Sequence, residues 1–184
     1  MARPHRLMYG LLYPAVLGTV FVNLFPPLMR LVANQTTNDP EICVKLVLAL
    51  GIVFHFIVDY LLAQEAPDHG WPGFAIDLLV LIALWTSAAS VHLDSDKEPD
   101  IRTLCYGLAT TYALFLIWLG FYHKQIRRKV FLVTVEVVAL LWFLVGGLLI
   151  VKWNFSAIGL FGGGILLAWA ANKAQGPTAN IDAF

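Results

Sequence analysis

Three carboxylic acids and one histidine lie inside otherwise apolar stretches of the chain: Asp59, Asp77, Glu136 and His55. His55 and Asp59 are four residues apart, so in a helix they share a face, one turn from each other. Groups of this kind take up and release protons, bind a cation, or ligate a metal when enough donors converge. An ionised acid in hydrocarbon costs roughly 2.5–3.5 kcal/mol on insertion scales, so such residues ordinarily face a bundle interior or a water-filled cavity. Three readings of the four residues follow. They can bond helices together, with His55 capping Asp59 or Asp77. They can bind or relay a cation or proton. They can hold a divalent metal, although the spacing gives neither HExxH nor a close HxxxH pair, which leaves the metal unknown.

The elements that must position these residues are written in the composition. Hydrophobic residues make up 59% of the 184 positions and charged residues 13%, too few charges to cover a water-soluble domain. Lipid is the natural surroundings. Six segments are long enough to cross a hydrocarbon core, which takes about 20 apolar residues in helical form. They fall near 7–29, 42–63, 72–92, 103–122, 130–151 and 154–171. Backbone groups in lipid must bond within their own segment, so the expected fold is all-α: a six-helix transmembrane bundle. It forms one domain over 1–175, followed by a short polar tail, 176–184. No stretch is left over for a soluble head. The first segment follows a short basic stretch and reads as a retained span. Pro14 is expected to kink it, and Pro26 and Pro27 to bend or end it.

Lys and Arg set orientation. With the N-terminus in the cytoplasm, that side holds Arg3, Arg6, Lys124, Arg127, Arg128, Lys129 and Lys173, seven in all, against Arg30, Lys45, Lys97, Arg102 and Lys152, five in all. Both termini are therefore expected in the cytoplasm. Four of the seven crowd into "HKQIRRK" (123–129), where Lys124, Arg127, Arg128 and Lys129 suit anionic lipid headgroups or an acidic partner. At about 1.5 Å per helical residue, Asp59, Asp77, Glu136 and His55 lie roughly 6, 7, 9 and 12 Å from the cytoplasmic ends of their spans. All four share the cytoplasmic half.

Other features bound the function. The chain holds 12 basic and 12 acidic residues, which gives no general attraction to nucleic acid. No two histidines sit at matching depth for a bis-His haem, with His92 and His123 at opposite ends of their spans, and no motif calls for a cofactor. Cys43 and Cys105 lie at similar depth, which permits a disulfide, with two free thiols as the plainer expectation. Trp71 suits an interface, whereas Trp85, Trp118 and Trp142 fall deeper and are expected to pack between helices. "VGG" (145–147), "IGLFGGGILLAWA" and the pair Gly10 and Gly18 offer small residues for close helix approach, within the chain or between copies. Serine-hydrolase and intramembrane aspartyl-protease motifs are missing, and the balance leans away from an enzyme. The expectation is an ion- or proton-conducting channel or small transporter, homo-oligomeric, in a bacterial inner membrane. The alternative is an anchor or effector subunit of a larger membrane complex, with a metal-dependent membrane enzyme third.

Overall fold

The computed structural model describes residues 7–33, 40–64, 70–93, 97–122, 129–149, 162–164 and 166. Every regular element among these residues is helical. A π-helical segment, Met8–Leu12, runs into α1 (Tyr13–Ala33), followed by α2 (Pro40–Gln64), α3 (Gly70–Ala89), α4 (Ile101–Tyr122) and α5 (Lys129–Leu149). Four stretches are long and apolar enough to cross a membrane: Met8–Pro26, Gly70–Ala89, Ile101–Gly120 and Val130–Leu149. These mark the chain as an integral membrane protein. α2 carries a shorter apolar run, Ile42–Ile57. The sixth expected span, 154–171, falls outside the described residues apart from 162–164 and 166, which are helical.

Of the two outcomes expected for Pro26 and Pro27, bending or ending the first span, the second does not occur: α1 continues through both to Ala33. Pro14 has no N–H to give the carbonyl four residues back, and its ring crowds that carbonyl. The backbone answers just before it: the Tyr13 N–H bonds Met8, five residues away, which is the π register.

Helix periodicity decides what is buried. On α3 the interior stripe is Gly73, Asp77, Val80, Leu84 and Ser87, and on α5 it is Leu132, Glu136, Ala139 and Phe143. Residues three and four apart fall on one face. The opposite faces are large and apolar, with Leu79, Ile82 and Trp85 exposed on α3 and Val130, Val138, Leu141 and Leu148 on α5. Such a surface suits lipid and would be a liability in water. Trp85 and Trp142, expected between helices, are 50% and 43% exposed, and the Trp142 ring packs where a Cβ on Gly163 would strike it.

α4 is the middle of the assembly, packed between α3 and α5, while α1 packs on α2. Small residues allow the closest approaches. A Cβ on Gly107 would collide with the Ser87 hydroxyl and come within 3.0 Å of the Ala83 carbonyl oxygen. A Cβ on Gly164 would strike the Phe143 ring, and one on Gly147 would meet Cys105 and Tyr106. The glycines at 147 and 164 thus serve packing within the chain, whereas Gly10 and Gly18 face open space. Cys43 and Cys105 are both free: Cys105 is buried toward Gly147 of α5, while Cys43 is exposed on α2.

The α3–α4 connection is tightly closed. His92, in the turn after α3, adopts the left-handed region (φ 53°), and the Asp100 N–H donates to the Ser90 carbonyl at 2.8 Å. Asp100 then caps α4: its Oδ1 accepts the Thr103 N–H at 3.1 Å and its Oδ2 accepts the Thr103 hydroxyl at 2.6 Å. An acid at this position satisfies a helix donor that has no partner within the helix.

Candidate functional site

The buried face of α2 runs through Lys45, Leu48, Ile52 and His55 at three- and four-residue steps. Two of these four are polar. Lys45, counted among the charges of the outer side, is buried, with a stem long enough to pack against apolar neighbours. His55 is 5% exposed and has hydrogen-bond partners on both ring nitrogens. Nδ1 lies 2.8 Å from the carbonyl oxygen of Gly51, one turn back, and Nε2 lies 2.9 Å from the hydroxyl of Tyr112 on α4.

Aromatic rings fix this pair in place. The Tyr112 ring stacks on Phe143 of α5 with centroids 5.7 Å apart and planes 13° from parallel. His55 meets the same two rings edge-on, at 6.0 Å from Tyr112 and 6.1 Å from Phe143. Three helices therefore converge on one imidazole, and Gly164 lies against the far side of Phe143. A second aromatic group continues on the same buried side of α2, where Tyr13 lies 6.5 Å from Phe56 and 5.7 Å from Tyr60, and Tyr9 stacks on Tyr13.

The acids are placed as follows. Asp77 is 7% exposed on the interior stripe of α3 and Glu136 is 3% exposed on that of α5. Glu136 lies two turns, roughly 10 Å of helix, from Phe143 toward the start of α5. It adjoins a small core of Leu119, Leu132 and Val135. His55 and Asp77 are similar distances from the short α2–α3 connection, within roughly 3 Å along their helices. Asp59 belongs to α2 one turn beyond His55, and its side chain lies outside the described residues. The same holds for Lys129, and Lys124, Arg127 and Arg128 lie outside them altogether. Among the described residues no three His, Cys, Asp or Glu side chains converge at metal-holding spacing. His92 stands at the α3–α4 turn, remote in sequence from the His55 layer, and His123 lies outside the described residues.

Tyr112 is the residue that sequence reasoning missed. Its signal was present: a tyrosine hydroxyl in an apolar span needs a partner. Tyr112 lies ten residues before the end of α4 and His55 nine before the end of α2, which matches their heights when the two helices run the same way. Comparison with protein-family models, curated proteins and solved structures returned no match.

Proposed function

We propose that the protein is a six-span membrane protein with both termini in the cytoplasm, acting as a proton- or ion-conducting channel or small transporter. In this reading His55, Asp59, Asp77 and Glu136 form its intramembrane site. The observation that carries the reading is the burial of His55, Asp77 and Glu136, each on the interior face of its own helix, in a bundle whose outer faces are apolar. An ionisable side chain within a membrane span is costly, and function is the usual reason for keeping it. Proton handling suits the geometry better than a divalent cation, because an imidazole takes a proton by itself, whereas a metal needs several donors brought together. The loop bearing Lys124, Arg127, Arg128 and Lys129 lies on the cytoplasmic side in this topology and docks on anionic headgroups.

The test is proton flux into proteoliposomes carrying an internal pH-sensitive dye. Asp77→Asn and Glu136→Gln each remove a titratable acid and keep its shape. Loss of flux in folded variants supports the proposal, and full flux in both sinks it.

A further inference from the structure

In neutral His55 the two bonds admit one arrangement of protons. The Gly51 carbonyl oxygen 2.8 Å from Nδ1 only accepts, so Nδ1 carries the hydrogen. In a neutral imidazole Nε2 is then a bare lone pair, and the Tyr112 hydroxyl 2.9 Å away donates to it. We infer that Tyr112 is the positioning residue of the buried site: it covers the Nε2 lone pair of neutral His55 and turns from donor to acceptor when Nε2 takes a proton. The inference deepens the proton-handling reading and rests on it for its consequence, while its test reads the histidine directly.

The step is one proton added and one hydrogen bond reversed. A proton from the aqueous phase binds the Nε2 lone pair. The new Nε2–H donates to the Tyr112 oxygen, and the hydroxyl hydrogen rotates away about the C–O bond. No covalent bond between heavy atoms changes. The two heavy atoms remain partners before and after, which avoids leaving a buried polar atom unsatisfied. The stack of Tyr112 on Phe143 and the edge-on contacts of His55 with both rings keep the atoms in register through the exchange. The interior of the bundle carries other buried titratable side chains on every element packed around α2. They are Tyr9 and Tyr13 at the start of the chain, Lys45 on α2, Asp77 on α3, Cys105 on α4 and Glu136 on α5. Tyr60 and Asp59 follow His55 on α2.

The experiment is magnetic resonance of the full chain in lipid bilayers with ¹⁵N-labelled histidine. The chain has five histidines, and the resonance pair that vanishes in His55→Gln assigns the site. At neutral pH His55 is expected with Nδ1 protonated and Nε2 bare but hydrogen-bonded. In Tyr112→Phe, which retains the ring and its stack, the Nε2 resonance is expected at the position of an unbonded lone pair with Nδ1 unchanged. On acidification of the wild type both nitrogens become protonated, and a ¹³C label on the Tyr112 ring carbon bearing oxygen reports its change to acceptor. Protonated Nε2 in neutral wild-type protein overturns the inference, as does an Nε2 resonance unmoved in a folded Tyr112→Phe. If that variant does not fold, the wild-type tautomer and the Tyr112 label decide alone. The expected resonances together with full flux in the Asp77 and Glu136 variants support the pair and remove the transport reading.

Discussion

The α3–α4 seam and the layer around His55 are both polar regions of an apolar bundle, and they treat polar atoms differently. At the seam, hydroxyls close on nearby backbone: Ser87 donates to Ala83 at 2.9 Å, Ser90 to Ser87 at 2.7 Å and Thr111 to Gly107 at 3.1 Å. Ser87 also reaches across to the Leu104 carbonyl at 3.4 Å. Asp100 closes on the first turn of its own helix. Around His55 the long-range bond joins two side chains, 57 residues apart, and the interior stripes of α3 and α5 each carry a buried acid. Serine and threonine in a helix have a carbonyl within reach wherever they sit. An ionised acid has no such local outlet, because carbonyls cannot donate to it. The seam thus satisfies its polar atoms locally, whereas His55 is satisfied across two helices.

Three substitutions test this division, beginning with the largest effect. Phe143 is fully buried and backs both His55 and Tyr112, so Phe143→Ala should cost about 3–5 kcal/mol. Unfolding of the detergent-solubilised protein measures the loss. A cost below that of ordinary surface changes would mean that the ring stack does not hold the layer together. Gly107→Val forces a side chain into Ser87 and the Ala83 backbone and should cost about 1–3 kcal/mol by overpacking. Because the seam is a packing device, its folded fraction should retain the ¹⁵N signature of His55. A changed signature would show that seam and layer are coupled.

The smallest effect belongs to the helix cap. The Thr103 hydroxyl bond holds the Asp100 carboxyl below its ordinary range, against the opposing effect of partial burial. The backbone N–H groups of Thr103 and Arg102 and the charge of His92 add to the lowering. A lowered carboxyl stabilises the fold at pH above the unfolded-state value of about 4, and the contribution disappears as pH falls through the folded-state value. Asp100→Ala should therefore cost about 1 kcal/mol near neutral pH, the usual worth of a cap, with the charge effect reduced by solvent. The difference from wild type should shrink on acidification below about pH 4. A difference that stays constant into strong acid would remove the carboxylate cap from the account.

Much of this was legible in the chain itself. Five of the six expected spans coincide with described helices to within a few residues, because an apolar run of that length in lipid has no alternative to the helix. The burial of Asp77, Glu136 and His55 followed from the cost of exposing them to hydrocarbon. The partner of His55 did not follow, because sequence spacing reports neighbours on one helix and is silent on which helix lies across from it. Side of the membrane and burial are separate questions. Lys45, counted on the outer side, lies on the buried face of α2, and the proline pair, expected to bend or end the first span, lies within α1.

What the sequence determined by itself is the class of molecule and the presence of buried ionisable groups, since both follow from transfer free energies that belong to each residue type. What the tertiary structure decided is who meets whom. His55 faces a tyrosine hydroxyl and a phenylalanine, and Asp77 and Glu136 occupy the interior of other helices. Helix rotation and offset set those meetings, and they depend on how whole faces fit, with Gly107 admitting Ser87 and Gly164 admitting Phe143.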